Sequence, residues 1–202
     1  MEWIGLIQRM IRLTFPFSFR IPTNSLSRQL KDSLASFMRI VITRGAEFHT
    51  AEIFLVLTNC CKCRFAALET IARVPYFSYT SVLHLYETLG WFRKKEYIQI
   101  HFAESWNELH HLLIMESLGG NERFLDRFVA QHIAFFYYWL VVVLYMTSPA
   151  VAYDLNKHVE QHAYSTYDEF LTSHADELRL LPAPQVAIDY YQKGGLILLA
   201  DK

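Results

Sequence analysis

Glycine and proline are scarce, seven and six in 202 residues. A fold of short strands joined by tight turns needs more of both, so an all-β architecture is excluded. Charge is scarce too: Asp, Glu, Lys and Arg make up 19% of the chain, against about a quarter in an ordinary soluble domain. The formal net charge is -1, which removes the basic face of a nucleic-acid binder. Only three cysteines occur, Cys60, Cys61 and Cys63. Cys60 and Cys63 stand at C-x-x-C spacing, but no second pair and no His pair completes a zinc site. Nothing points to a disulfide-stapled chain. Runs of ~18 to 20 apolar residues, the length that spans a bilayer, are absent as well. The longest stretch, IAFFYYWLVVVLYM over 133–146, ends after 14 residues.

What the chain has in excess is aromatic apolar mass: 15 Phe, 12 Tyr and 4 Trp, with 52% hydrophobic residues overall. Disorder needs the opposite balance. The stretch 133–146 carries three tyrosines and a tryptophan. Such rings prefer a boundary between water and lipid. Two readings stay open for it, a core helix of a bundle and a helix lying in one leaflet of a membrane.

Residues 1–50 differ from the rest. They hold seven Lys or Arg, three acids and interspersed hydroxyl residues, the pattern of an organelle transit peptide. From about Phe65 the periodicity is helical, and the spacing predicts helices at 64–89, 95–117, 122–147, 149–173 and 183–192. Gly90, the Gly119-Gly120 pair, Pro149 and the prolines at 182 and 184 punctuate them. Pro75 is expected to kink or interrupt the first. The organisation read here is a basic N-terminal region, 1–63, followed by an all-α helical domain, 64–202.

The helix over 95–117 carries the chemistry. On a helical wheel His101, Glu104, Glu108, His111 and Met115 share one arc, and Phe102, Trp106, Leu109 and Leu113 the opposite one. No Lys or Arg occurs between residues 96 and 122. Carboxylates buried without cationic partners are costly, and a metal ion relieves that cost. Glu108-x-x-His111 is the element found in di-iron carboxylate bundles, which also take a single Glu from each of two further helices. Glu69 and Glu160 are the candidates. Each has a bland alternative, an ion pair with Arg73 for Glu69 and a solvated charge beside Lys157 for Glu160. Tyr167 lies two turns beyond Glu160 on the same face, as a residue near iron or as a core tyrosine with a paired hydroxyl.

The segments LETIARVPYF, HFAESWNELHHLLIMESLGGN, DRFVAQHIAFFYY, SPAVAY, VEQHAYSTYDEF and LPAPQVAIDYY resemble the alternative oxidase family, in its plastid, plastoquinol-oxidising branch (the plastid terminal oxidases). The resemblance covers about residues 64–194. It implies a ferritin-like di-iron four-helix bundle with monotopic membrane-binding helices. It implies a quinol:oxygen oxidoreductase that oxidises plastoquinol and reduces O2 to water, with two non-haem irons as cofactor. Glu69, Glu108, His111 and Glu160 match iron ligands, and Tyr167 matches a catalytic tyrosine near the irons. Arg64, Leu68, His162 and Thr166 match or adjoin quinone-binding positions. The expected place is one leaflet of the chloroplast thylakoid membrane, with the mitochondrial inner membrane as alternative. A homodimer is compatible with it, and nucleic acid is not an expected partner.

The family's second Glu-x-x-His, on the last ligand helix, has no counterpart in this sequence. The polypeptide as written is therefore expected to be an incomplete stretch of such an enzyme with little or no activity. A truncated splice form and a diverged relative are the alternatives. Rival functions are a catalytically dead membrane-associated module that binds quinone or lipid, or pairs with an oxidase, and a soluble di-iron oxygenase or ferritin-like protein.

Overall fold

Helices account for nearly every residue of the computed structural model that can be described, 61–91 and 93–192, and no strand occurs among them. The basic region up to residue 60, with its targeting reading and Cys60, lies outside the described residues, as do 193–202. The helices are α1 Cys61–Ala72, α2 Val74–Thr88, α3 Lys95–Ser117, α4 Phe124–Thr147, α5 Pro149–Ser173, α6 Ala175–Leu180 and α7 Gln185–Gln192. The sequence places α3 and α5 within the same bounds and misses the six-residue α6.

The helix expected over 64–89 is two. Pro75 occupies the first turn of α2. It has no N–H to offer the carbonyl one turn back, and its ring crowds that carbonyl. The break falls on Arg73, which keeps near-helical angles (φ -70°, ψ -18°). Stretched bonds of 3.4 Å, Arg73 N–H to the Glu69 carbonyl and Phe77 N–H to the Arg73 carbonyl, bridge the joint.

Glycines end α2 and α3 in the same way. Gly90 and Gly119 take φ of +71° and +86°. In each case two amides turn back onto the last turn: Gly90 and Trp91 onto the Glu87 and Tyr86 carbonyls, Gly119 and Gly120 onto those of Glu116 and Met115. This is the Schellman termination, which needs a left-handed residue after the helix. Pro149 opens α5, where a missing N–H costs nothing.

α1 and α2 pack against α3 on one side and α4 on the other, with α5 against α4 and α1. α7 folds back onto α3, where Tyr190 stacks on His110 at 4.0 Å and its hydroxyl donates to Asn107 Oδ1 at 3.0 Å. The apolar interior forms two clusters. One gathers Phe65, Ala66, Leu112, Ile114, Met115 and Tyr167. The other gathers Tyr76, Tyr79 and Val82 of α2 with Val141, Leu144 and Tyr145 of α4 and Val151, Ala152 and Leu155 of α5. Along each of three paths, α1 into α2, α3 and α5, a buried carboxylate lies between the two clusters: Glu69, Glu108 and Glu160.

α4 is longer than its apolar run. Taken whole, it is long and apolar enough to cross a membrane by length and composition, which the count of consecutive apolar residues does not register. One stripe, Ala130, Val141, Leu144 and Tyr145, is buried in the bundle. The other presents Phe128, Phe135, Phe136, Trp139, Leu140 and Val143 outward, with Phe136 69% and Trp139 54% exposed.

The meeting of α1 with the end of α3 is tight at Gly120. A Cβ there would lie 2.7 Å from the Ala66 Cβ and 2.8 Å from the Lys62 and Met115 carbonyl oxygens. Gly120→Ala is expected to lose about 1–3 kcal/mol in urea unfolding, the usual cost of overpacking against a rigid neighbour. Gly90→Ala, whose Cβ meets nothing within 4 Å, is expected to show only the smaller penalty of its backbone angle.

Candidate metal centre

α3 turns polar side chains inward beside apolar ones. His101, Glu108 and His111 are buried with Leu112, Ile114 and Met115, while Phe102, Trp106 and Leu113 are exposed. Hydrophobicity alone does not account for the three inward polar groups, so they must gain from what they meet. α1 brings Glu69, α5 brings Glu160, and α2 brings a tyrosine that the motif search did not single out, Tyr76.

Glu69, Glu108 and His111 each offer a ligand atom within 4.8 Å of the others, and all three residues are buried. His111 Nδ1 lies 3.5 Å from Glu108 Oε2 and 3.8 Å from Glu69 Oε2. The other ring nitrogen, Nε2, is buried with no hydrogen-bond partner among the described residues, a rare state for an imidazole inside a protein. Glu160 stands apart from this trio, its Oε1 accepting from the Tyr76 hydroxyl at 2.9 Å. The Tyr167 hydroxyl donates to Glu69 Oε1, and its ring stacks on Phe65 at 4.5 Å.

The bland readings of the acids fail. Glu69 is 3% and Glu160 6% exposed, and among the described residues no Lys or Arg forms an ion pair with either or with Glu108. Tyr167 is a core tyrosine with a paired hydroxyl, and the pairing is to Glu69. Both of its readings therefore meet in one contact.

Three carboxyl groups close together in a dry interior cannot all ionise cheaply. Burial, and then the charge of Glu108, pushes the Glu69 carboxyl up from 4.5 to about 8. The same two causes raise Glu160 well above the carboxylate range. His111 is moved the other way by burial alone, but the Glu108 charge and hydrogen bond and the Glu69 charge outweigh it, and its pKa rises. Burial first, and the neighbouring acid second, keeps Tyr76 and Tyr167 as neutral phenols.

A divalent cation would remove the frustration at its source. The donors are oxygen and imidazole, a set that suits iron and its neighbours in the first transition row. The orphaned Nε2 and the absence of cationic partners fit a resident metal held by Glu69, Glu108 and His111, with Glu160 on the facing helix.

Of the remaining sequence candidates, Arg64 and Leu68 are half-buried on α1, one turn apart and running up to Glu69. Thr166 is half-buried and His162 exposed on α5. The Thr166 hydroxyl donates to the His162 carbonyl at 2.9 Å, and Tyr167 follows directly. The two pairs thus flank the Tyr167–Glu69 contact from two helices. Cys63 is buried in α1. Tyr76 was legible only in retrospect, because nothing in its local sequence separates it from the other tyrosines of α2.

Raised carboxyl and imidazole values act in the same direction on stability. For Glu69 the folded state holds a proton that the unfolded chain releases above 4.5, so stability falls as pH rises from about 4.5 to about 8 and levels off above. His111 adds stability that is present below its unfolded value and is lost as pH rises through its raised folded one. The metal-free protein is therefore expected to have a higher urea midpoint at mildly acidic than at mildly alkaline pH. Glu69→Gln is expected to flatten that dependence.

A model of the alternative oxidase family matches residues 19–201. Ubiquinol oxidase 4, chloroplastic/chromoplastic, of Arabidopsis thaliana is 60% identical over 135 residues, 67% of this chain and 38% of that protein. Ubiquinol oxidase 2, mitochondrial, of Glycine max is 30% identical over 131 residues, 64% of this chain and 39% of the relative. Ubiquinol oxidase 1, mitochondrial, of Nicotiana tabacum is 33% identical over 132 residues, 63% and 36% of the respective lengths. The chain thus spans less than two fifths of these relatives' length. No solved structure matches it.

Proposed function

Because the chain belongs to the alternative oxidase family, a family of di-iron enzymes, we propose that it is a stretch of a plastid-type quinol:oxygen oxidoreductase. Plastoquinol is the reductant, O2 the acceptor and water the product. The observation that carries this reading is the buried Glu69–Glu108–His111 trio, assembled from two helices with no Lys or Arg paired to it among the described residues. The similarity to a chloroplastic relative favours the plastid and plastoquinol, and the mitochondrial relatives support the same chemistry on a related quinol.

In this reading Glu69, Glu108, His111 and Glu160 hold non-haem iron, which supplies O2 binding and electron transfer when bound. Two irons need more donors than these four residues give. The family resemblance assigns the remainder to a second Glu-x-x-His that this sequence does not contain. The chain's own residues set the surroundings. Tyr76 fixes the orientation of Glu160 and Tyr167 that of Glu69, each through one hydrogen bond. The two apolar clusters on either side keep bulk water out. A quinol head group would meet the Arg64 guanidinium, the His162 ring and the Thr166 hydroxyl, with Leu68 as its apolar wall. Its hydroxyls would then face the Tyr167–Glu69 pair.

Quinols live in lipid, so the site needs a membrane. The outward stripe of α4, from Phe128 to Val143, together with Phe102 and Trp106 on α3, supplies an apolar aromatic surface. It suits a protein seated in one leaflet of the thylakoid membrane, since α4's other stripe is already committed to the bundle.

Anaerobic Fe(II) titration of the full chain tests the metal assignment. Iron uptake is expected, with affinity lower by at least about tenfold in His111→Ala. No uptake by the parent chain overturns the assignment. Oxygen consumption with a short-chain plastoquinol tests the reaction, and any activity is expected to vanish in Glu108→Ala. Sedimentation with galactolipid vesicles tests the seat. The parent chain is expected in the pellet, and a variant with both Phe136→Glu and Trp139→Glu largely in the supernatant.

A further inference from the structure

Two turns before Glu108, on the inward face of α3, lies a second buried group that the centre does not use. His101 is 5% exposed. Its Nδ1 lies 3.0 Å from Glu104 Oε2 and its Nε2 lies 2.7 Å from the Tyr153 hydroxyl of α5. Glu104 can only accept, so Nδ1 carries the ring hydrogen and Nε2 accepts from the phenol. The Tyr145 hydroxyl is 3.1 Å from that of Tyr153. Carboxylate, imidazole and phenol are thus aligned in the order that lets imidazole take a proton, with the carboxylate stabilising the imidazolium that results.

The same phenol is wired to the metal centre by its ring. Tyr153 and Tyr79 have centroids 5.0 Å apart, and Tyr79 and Tyr76 6.4 Å. Tyr76 hydrogen-bonds Glu160. Tyr76 and Tyr167 also touch the centre, but their phenols donate to carboxylates assigned to the metal. A carboxylate shared with a cation is a poor proton acceptor, whereas the free Nε2 of His101 is a good one. A phenol loses an electron readily only if its proton has somewhere to go, because the protonated radical cation is a strong acid.

We propose that Tyr153 is a redox-active tyrosine, with His101 as the acceptor of its proton and Glu104 as the residue that positions the imidazole. This rests on the quinol-oxidase reading for its redox partners. The Tyr153 O–H bond breaks and an N–H bond forms at His101 Nε2. One electron passes through the rings of Tyr79 and Tyr76 to the oxygen-activating metal centre, leaving a neutral phenoxyl radical beside an imidazolium paired with Glu104. A quinol returns one electron, becoming a semiquinone and releasing one of its own protons to solvent, the Nε2 proton goes back to the phenol, and the pair is reset. Dioxygen takes more electrons than one quinol carries, so a side chain that lends one keeps partly reduced oxygen from lingering.

The test oxidises the full chain from outside, without iron. A ruthenium polypyridyl sensitiser with persulfate generates the radical under light, and electron paramagnetic resonance reads it after freezing. With isotopically labelled histidine, the wild-type radical is expected to show coupling to an imidazole nitrogen and to one exchangeable proton. Tyr153→Phe and His101→Phe, checked for helix content by circular dichroism, are each expected to lower the histidine-coupled signal by about tenfold. Tyr164→Phe, on the exposed side of α5, is expected to leave it unchanged. A wild-type radical without imidazole coupling overturns the proposal, and that measurement needs no variant to fold. An undiminished signal in folded Tyr153→Phe overturns it equally. Because the oxidant is external, the two failures are distinguishable. Iron uptake and quinol-driven oxygen consumption without a histidine-coupled radical would remove this inference and leave the oxidase standing. The radical without iron uptake would leave the proton transfer from Tyr153 to His101 but remove its electron acceptor, overturning the oxidase reading and the electron-lending role together.

Discussion

Everything in this bundle is arranged around acids that have no business being dry. Glu69, Glu108 and Glu160 lie in the seam between two apolar clusters, with an imidazole among them and, among the described residues, no ammonium or guanidinium paired with them. Desolvation of unpaired carboxylates is among the larger penalties a small domain can carry. Without metal, burial favours the protonated form of Glu69 and of Glu160, and two phenols, Tyr76 and Tyr167, donate to these same acids. A cation would satisfy the same groups more completely. The strain of the metal-free state and the affinity for metal are one quantity seen from two sides.

The inward polar stripe of α3 follows from that constraint. A helix in water hides its apolar side, whereas this one hides His101, Glu108 and His111 and shows Phe102, Trp106 and Leu113. Such an orientation holds only where the inside rewards polarity and the outside does not punish grease. The outward aromatic stripe of α4 belongs to the same arrangement. Low charge and high aromatic content, the first features of the composition, are properties of a surface as much as of a core.

Much of this was legible in the chain. Helix bounds came from Gly90, Gly119-Gly120 and Pro149, because left-handed caps and first-turn prolines are local events that need no tertiary knowledge. Glu108-x-x-His111 was legible because the spacing fixes a shared face, and Glu69 and Glu160 because the family motif carries them. Tyr76 was not legible: its importance lies in a hydrogen bond to a residue 84 positions away, and no local pattern encodes that. The pairing of His101 with Tyr153 was hidden for the same reason, although the wheel had already put His101 on the correct arc. The division of the first long helix was expected as a kink at Pro75, but its site at Arg73 depends on where the preceding carbonyls lose their donors.

That joint has a mechanical consequence. Glu69 sits on one side of it and Tyr76 on the other, so the two groups that reach toward the centre from this strut are carried by separate rods. A ligand and its neighbour on one unbroken helix can move only together. Here the bridging bonds are long, 3.4 Å each, so the joint resists bending less than an unbroken helix would. The fold has placed its softest joint one turn from Glu69, between a buried carboxylate and the phenol that serves a different acid.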